Sequence, residues 1–175
     1  MTATETQGLR ILPLAEDDID ALIELAGVIW RQHYPGIISM EQIDYMLAQR
    51  YTPELVRAQL QRADAWWDKV LARARMIGFV QYELCEREQH PYVMKLNQIY
   101  VREDHQRQGH GGRILAHVEE RARRRGCDHV RLYVNRYNAN SIAAYRKYGY
   151  AIAQTAVTVI GGGFVMDDYV MEKKL

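Results

Sequence analysis

The sequence lacks any long apolar run, and this limits the classes of protein to which it can belong. No stretch of its 175 residues approaches the roughly 20 consecutive apolar residues of a membrane-spanning helix. Its first residues, MTATETQGLRILPLAEDD, lack the basic start and the apolar centre of a secretory signal peptide. We therefore expect a cytoplasmic protein with no membrane partner.

Cysteine is also scarce, since Cys85 and Cys127 are the only two in the sequence. Their separation is not that of a zinc site, and two distant cysteines do not make a disulfide framework. The six histidines include no His-x-x-x-His pair, so we predict no metal site.

An excess of charge of either sign is missing as well. The net charge of +1 gives no general attraction to nucleic acid or to a membrane surface. The one basic run, RARRRG at 121–126, ends a predicted helix, where cations offset the helix dipole. We interpret this run as a solvated helix end, and we expect no nucleic-acid partner.

The patterns that are present predict one globular domain over residues 1–175. The length and a hydrophobic fraction of 48% suit a single core. Two or three helices are predicted between residues 16 and 62 from apolar residues at helical spacing and from helix starts at Ser39 and Pro53. Several strands follow, then two helices alternate with further strands. This order predicts a mixed α/β fold around one sheet.

The stretch VREDHQRQGHGGRIL, residues 101–115, places three glycines between a predicted strand and a predicted helix. Glycine lets the backbone come close to a ligand, and the amides at a helix start favour an anion. The phosphate loop of nucleotide hydrolases is excluded, because Gly111 is followed by Gly112-Arg113 and not by Lys-Ser/Thr. The dinucleotide fingerprint is excluded because its third small residue is Ile114 here.

The remaining pattern is Q/R-x-x-G-x-G/A, which Gln106, Gly109 and Gly111 satisfy. This pattern predicts a pyrophosphate held by backbone amides, with Arg107 and Arg113 adding charge at the rim. The alternative is a glycine-rich helix entrance that binds no ligand.

A second segment, NANSIAAYRKYGY at 138–150, lies one strand downstream. Asn138, Ser141 and Tyr145 are spaced at intervals of three and four, so they share one face of a short helix. Asn138 can also cap that helix, and core packing is the alternative role for Tyr145.

These two segments together resemble those of the Gcn5-related N-acetyltransferase superfamily. IYVREDHQRQGHGGRIL is similar to its acetyl-coenzyme A pyrophosphate segment, and NANSIAAYRKYGY to its N-x-x-(S/A)-x-x-x-Y-x-K-x-G-F/Y segment. The resemblance covers most of the chain and implies a mixed, mostly antiparallel central sheet flanked by helices. The opening helices and GGGFVMDDYVMEKKL are more weakly similar to a bacterial small-molecule branch that includes spermidine/spermine acetyltransferases.

The resemblance implies acetyl-CoA as cosubstrate and direct attack of a neutral amine on the thioester in a ternary complex. By similarity, Tyr145 would protonate or hydrogen-bond the leaving sulfur, and a backbone amide near Ile99 and Val101 would polarise the thioester carbonyl. The residues expected to contact the coenzyme are Ile99, Tyr100, Val101, Arg107, Gln108, Gly109, His110, Gly111, Gly112, Arg113, Asn138, Ser141 and Tyr145.

The general base and the acceptor site are where the sequence departs from the family pattern. Many relatives carry a glutamate on the strand before the loop, but this strand reads KLNQIYV. Glu83 is the predicted base, acting through water, and Tyr100 and His33 are alternatives. An exposed strand carboxylate is the other role for Glu83.

The acceptor is expected between the early helices and the last strands. Trp30, Tyr34 and Tyr45 are predicted to line its pocket, with core packing as their alternative role. Asp167, Asp168 and Glu83 would favour a cationic amine. We therefore expect an N-acetyltransferase for a primary amine, with a small molecule or polyamine favoured. A protein or peptide N-acetyltransferase and a non-catalytic acyl-CoA sensor stay open, and a homodimer is compatible with the sequence.

Overall fold

The computed structural model describes residues 8–85 and 92–175, which form seven strands and five α-helices. The strands are β1 (Arg10–Pro13), β2 (Ala65–Ala72), β3 (Arg75–Cys85), β4 (Val93–Val101), β5 (His129–Asn135), β6 (Ala151–Gly161) and β7 (Phe164–Lys174). The helices are α1 (Ile19–His33), α2 (Met40–Arg50), α3 (Pro53–Leu60), α4 (His110–Arg124) and α5 (Ala139–Lys147). Short 3-10 turns lie at Glu16–Asp18 and Glu103–His105.

All seven described strands join one sheet in the order β1-β2-β3-β4-β5-β7-β6. Among these strands only β4 and β5 run parallel, and every other neighbouring pair is antiparallel. The predicted mixed α/β fold with a mostly antiparallel central sheet is therefore confirmed. Strand β1 had no counterpart in the predicted element order, because four residues that end in a proline carry little periodic signal.

The parallel pair β4–β5 is short, and the sheet divides beyond it. Val93–Leu96 pairs with His129–Leu132, and no further β4–β5 register follows among the described residues. Beyond that point β4 continues beside β3, and β5 continues beside β7. The end of β4 and the end of β5 thus each keep one unpaired edge, and a wedge opens between them.

A β-bulge in β4 accompanies this division. Gln81 of β3 pairs with Gln98, but the next residue, Tyr82, pairs with Leu96, so Asn97 is the extra residue. A bulge bends its strand and increases the local twist. The bend lies where β4 leaves β5, so it helps to direct the end of β4 away from its parallel neighbour.

Apolar side chains cover both faces of the sheet. One face packs against α4 through buried residues such as Ile114, Val118 and Ala122. The other face packs against α1, α2 and α3 through residues such as Leu22, Trp30 and Ile43. The helices of the second layer begin where the sequence predicted, because Ser39 accepts a hydrogen bond from Gln42 N at 3.1 Å and Thr52 one from Leu55 N at 3.2 Å.

No helix in residues 8–85 and 92–175 combines the length and the apolar content needed to cross a bilayer.

A close approach of β3 to β4 requires glycine at position 78. A Cβ atom on Gly78 would clash with the carbonyl oxygen of Tyr100, which is a backbone atom and cannot rotate away. We expect Gly78→Ala to lower the free energy of unfolding by about 1–3 kcal/mol through overpacking. Thermal and urea denaturation measure this change.

The matched control is Gly111→Ala, because a Cβ there meets no atom within 4 Å and the position is helical. Alanine should leave the melting temperature unchanged or raise it slightly, since it favours the helix more than glycine does. Equal melting temperatures for the two variants would contradict the packing argument.

Candidate active site

The wedge between β4 and β5 is the mouth of a cavity of about 1040 Å³. Its walls come from α1, β4, β5, the loop before α4, α5 and the first half of β7. The polar residues that line it include His33, Tyr34, Arg50, Gln98, Tyr100, Gln106, Arg107, His110, Asn135, Asn138, Ser141, Tyr145 and Asp168. A cleft of this size, in which many polar groups converge on one space, is typical of a small-molecule site.

The glycine loop turns sharply before α4. Arg107 and Gly109 both have positive φ angles, 58° and 79°, and Gly109 is the N-cap residue of α4. The side chain of Gln106 braces the turn by donating a hydrogen bond from Nε2 to the carbonyl oxygen of Val101 at 2.9 Å. No side chain in the described ranges caps α4, so the first amides of this 15-residue helix are left for an anion at the cleft wall.

The backbone at the end of β4 also faces the wedge. Arg102 N donates to Ile77 O of β3 at 2.8 Å, which fixes the alternation of backbone groups along the strand. Hydrogen-bonding groups of an antiparallel strand point to opposite sides at successive residues. The backbone groups of Ile99 and Val101 therefore point away from β3, toward the open edge.

Tyr145 lies on the opposite wall, on α5. Its ring packs edge-to-face against Tyr150, with centroids 6.0 Å apart, and its hydroxyl has no hydrogen-bond partner among the described residues. Burial, together with nearby Tyr34, raises the pKa of Tyr145 above its ordinary value. The phenol therefore keeps its proton at neutral pH and is available to donate it.

Asn138 positions the start of α5 beside this tyrosine. Its side-chain oxygen accepts a hydrogen bond from Ser141 N at 3.3 Å, so the predicted helix cap is present. Its amide nitrogen lies 3.1 Å from Nε2 of His33, which ties α5 to α1 across the cleft. Burial lowers the pKa of His33, so this imidazole is neutral at physiological pH.

A buried aromatic cluster forms the floor between α1 and β4. The hydroxyls of Tyr34 and Tyr100 lie 2.8 Å apart, and Trp30 Nε1 donates to the hydroxyl of Tyr51 at 3.1 Å. Tyr51 in turn donates to the side-chain oxygen of Gln98. Burial raises the pKa values of Tyr34, Tyr51 and Tyr100, so all three are neutral hydrogen-bonding groups.

Comparison with known proteins decides the family. The profile of the acetyltransferase (GNAT) family matches residues 28–150, which run from within α1 through α5. The chain belongs to this family. The resemblance inferred from the two sequence segments is therefore confirmed.

Individual relatives resemble this acetyltransferase over nearly its whole length. A spermidine N(1)-acetyltransferase of Thermoplasma acidophilum is 25% identical over 170 residues, which are 95% of this chain and 97% of that protein. The crystal structure of the PaiA N-acetyltransferase of Thermoplasma acidophilum in complex with coenzyme A has a TM-score of 0.81 at 25% identity, covering 96% of this chain and 99% of that one.

A GCN5-related N-acetyltransferase structure from Rhodopseudomonas palustris has a TM-score of 0.76 at 19% identity, covering 100% of this chain and 99% of that one. At this identity the likeness is one of fold alone. Family and relatives together make the chain an acetyl-CoA-dependent acyltransferase, as expected from the sequence.

Most of the predicted coenzyme residues of the acetyltransferase line the cleft. These are Ile99, Tyr100, Val101, Arg107, Gly109, His110, Gly111, Asn138, Ser141 and Tyr145. Three predicted residues do not line it, namely Gln108, Gly112 and Arg113.

The contacts of these three explain their placement. Gln108 donates to the carbonyl oxygen of Asp104 at 3.4 Å, and Arg113 donates to that of Leu9 at 3.1 Å. Gly112 packs under the ring of Tyr148, where a Cβ would lie 2.5 Å from ring carbons. Of the two arginines predicted at the rim, only Arg107 therefore lines the cleft.

The predicted acceptor residues divide in the same way. Trp30 and Tyr34 line the cleft, although Trp30 is only 1% exposed and also belongs to the core. Tyr45 does not line it, because its hydroxyl donates to Ile160 O at 2.9 Å and its ring packs on Phe164 and on the glycine turn between β6 and β7. The assignment of Tyr45 to the acceptor site stays a prediction without support from this geometry.

Glu83 is held outside the cleft lining. Its carboxylate pairs with Arg62 at 2.9 Å and accepts a hydrogen bond from Asn97 Nδ2 at 3.0 Å. Both carboxylate oxygens thus have protein partners at the bulge, which is the contact pattern of a structural residue. The assignment of Glu83 as general base stays a prediction without support from this geometry.

Asp168 is the carboxylate that does line the cleft in the part of the chain that the structure describes. It is 7% exposed, and its Oδ1 atom is buried without a hydrogen-bond partner. Burial raises the pKa of Asp168 to about 6, although Arg50 opposes the shift. Its neighbour Asp167 faces the other side of β7 and pairs with Arg136 at 3.1 Å.

Ionisation of this buried carboxyl should make the folded acetyltransferase less stable. Because its folded-state pKa exceeds its ordinary value of 3.8, the folded state binds the proton more tightly than the unfolded state between about pH 4 and pH 6. The loss of stability develops over that range and is complete above it. Asp168→Asn should therefore raise the free energy of unfolding at pH 7.5 by up to about 3 kcal/mol.

Urea denaturation at pH 4.5 and pH 7.5 measures this gain, which should shrink at the lower pH. Asp167→Asn serves as the control, since it removes the neighbouring carboxylate that is paired with Arg136. A loss of stability in Asp168→Asn at pH 7.5 would contradict the description of an unpaired buried charge.

Proposed function

We propose that this acetyltransferase moves the acetyl group of acetyl-CoA to a primary amine of a small molecule, by direct attack within a ternary complex. The observation that carries the proposal is one cleft lined by an uncapped helix start, an open strand edge and the unpartnered hydroxyl of Tyr145. The Thermoplasma acidophilum relatives, a spermidine N(1)-acetyltransferase and an N-acetyltransferase bound to coenzyme A, support the same reaction. They also support a polyamine as the first acceptor to test.

In this proposal the coenzyme spans the wall from α4 to β4. Its diphosphate accepts hydrogen bonds from the amides at the start of α4, and the Arg107 side chain adds positive charge. The pantetheine arm lies along the open edge of β4, where the backbone groups of Ile99 and Val101 face the wedge. A backbone amide on this edge polarises the thioester carbonyl.

Tyr145 acts as the general acid in the same proposal. The departing thiolate has a reference pKa near 8.5, so a phenol that keeps its proton can hydrogen-bond the sulfur or protonate it. The burial that raises the Tyr145 pKa keeps the donor form present across the neutral range. The unpartnered hydroxyl leaves the proton free for the sulfur.

Tyr145→Phe should lower kcat at least tenfold while acetyl-CoA still binds, because positioned proton transfer is worth about 10²- to 10⁴-fold in rate. Release of the free thiol of coenzyme A measures turnover, and calorimetry measures binding. Tyr137→Phe is the matched control, since Tyr137 is 67% exposed. Unchanged turnover in Tyr145→Phe would remove the acid role from this residue.

Arg107→Ala should weaken acetyl-CoA binding several-fold, and the loss should diminish at high salt, because an exposed charge beside a phosphate is screened. Arg113→Ala is the control, because that side chain is bonded to the carbonyl oxygen of Leu9 and does not line the cleft. Arg113→Ala should lower the melting temperature and leave the dissociation constant for acetyl-CoA nearly unchanged. Calorimetry at two salt concentrations separates the two effects, and equal losses of affinity would contradict the placement of the diphosphate.

An acceptor panel tests the reaction itself. Acetyl-CoA is mixed with the enzyme and with polyamines, monoamines, amino acids or a peptide with a free N-terminus, and thiol release is followed. Release with a small amine supports the proposal. Release with the peptide alone would favour a protein acetyltransferase, and tight coenzyme binding without release on any amine would favour an acyl-CoA sensor.

A further inference from the structure

The charges at the acceptor end of the cleft narrow the acceptor class, on the basis of the acetyltransferase function proposed above. We propose that Asp168 and Arg50 form a two-charge site for an acceptor that carries both an amino group and an anionic group. Asp168 binds the ammonium and takes its first proton, and Arg50 binds the anionic group.

Asp168 offers a buried acceptor with no protein donor. Asp168 lines the cleft but is only 7% exposed, and its Oδ1 atom has no hydrogen-bond partner among the described residues. A buried carboxylate normally has hydrogen bonds or a paired cation, since an unpaired one is unfavourable. An ammonium ion of the acceptor supplies the missing donors.

Arg50 offers the complementary cation. It stands at the end of α2, lines the same cleft, and its guanidinium lies 5.9 Å from the ring centroid of Trp30. Within the described residues it makes no hydrogen bond or ion pair, although its burial is intermediate. Its planar donor fork is free to hold a carboxylate or a similar anion.

The two charges interact without pairing. The positive charge of Arg50 opposes the rise in the Asp168 pKa, so the two side chains interact electrostatically. They nevertheless make no ion pair within 4 Å. Tyr34 lies within electrostatic range of Asp168 and also of Tyr145, so the two-charge site adjoins the proposed acid. A ligand with an amino group and an anionic group satisfies both side chains at once.

The charge balance of the described lining does not suit a polyamine. Besides Arg50, the described cleft lining contains the cations Lys95, Arg107 and Lys147, and Asp168 is the one carboxylate in it. Arg107 and Lys147 belong to the loop and to α5, on the proposed coenzyme side. A second ammonium would lie close to Arg50 with no carboxylate to offset the repulsion.

The reaction balances with these groups. The acceptor ammonium gives one proton to the Asp168 carboxylate, from which it passes to solvent, and the nitrogen lone pair then forms the C–N bond to the thioester carbon. The C–S bond breaks, the sulfur receives the Tyr145 proton, and the second proton lost by the nitrogen restores Tyr145. The products are the N-acetylated acceptor, the free thiol of coenzyme A and one released proton.

Matched acceptors test the charge requirement. Lysine differs from cadaverine by one carboxylate, and ornithine differs from putrescine in the same way. We expect kcat/KM to be at least tenfold higher for each amino acid than for its diamine. Higher values for putrescine, cadaverine or spermidine would overturn the proposal and leave the acetyltransferase function intact.

Variants assign the two roles. Asp168→Asn should lower kcat/KM for the best acceptor at least 100-fold with the KM for acetyl-CoA within twofold, and Asp167→Asn should leave both unchanged. Arg50→Gln should lower kcat/KM for lysine at least tenfold and leave that for cadaverine unchanged or raise it, so the ratio of the pair reports the lost anion contact. A purely structural role for Arg50 would lower both values equally and overturn the assignment.

The pH profile gives an independent readout of Asp168. The charged or titratable groups that act on it electrostatically are Arg50 from α2, Tyr34 from α1 and Asp167 on the other side of β7, and its pKa of about 6 includes the effects of Arg50 and Asp167. The wild-type kcat/KM should fall below about pH 6, and Asp168→Asn should lack that acid limb. An acid limb retained in the variant would overturn the proton-acceptor role. Thiol release from no amine at all would instead contradict the proposed function itself.

Discussion

The early separation of β4 from β5 is the constraint on which the rest of this acetyltransferase depends. Four residues of each strand pair in parallel, and beyond them β4 has no neighbouring strand on one side among the described residues. An unpaired strand edge in a protein interior leaves polar groups that must find a partner. In the wedge these polar groups are accessible to a ligand. The start of α4 and one face of α5 border the same space.

Several local features maintain this opening. The bulge at Asn97 bends β4, and glycine at position 78 lets β3 follow the strand closely. Glu83, Arg62 and Asn97 form a polar cluster at the bulge, so the carboxylate first predicted as a base is engaged in the structure of the bend. The aromatic cluster of Tyr34, Tyr51 and Tyr100 fills the floor under the wedge with neutral, hydrogen-bonded groups.

The sequence predicted the parts of the site that depend on local spacing. The glycine pattern around Gly109 and the face shared by Asn138, Ser141 and Tyr145 are each set within one loop or one helix, and all four residues line the cleft. Their signals are short-range, so they can be recognised in a single sequence. The order of the main helices and strands follows from periodicity for the same reason.

The sequence could not indicate which acceptor candidates line the cleft, because their placement depends on tertiary contacts between distant elements. Tyr45 was expected in the pocket, but its direction is set by the turn after β6, more than 100 residues away. Asp167 and Asp168 are adjacent in sequence, and alternation along a strand directs only one of them into the cleft. Arg50 gave no signal, since an arginine at a helix end is ordinarily interpreted as a solvated charge.

The central claim is that the open edge of β4 and the start of α4 together hold acetyl-CoA, and a crystal structure of the enzyme with acetyl-CoA tests it most directly. The account predicts the diphosphate against the amides that follow Gly109, the pantetheine arm beside Ile99 and Val101, and the sulfur within hydrogen-bonding distance of the Tyr145 hydroxyl. Coenzyme bound elsewhere, with the wedge between β4 and β5 unoccupied, would contradict it.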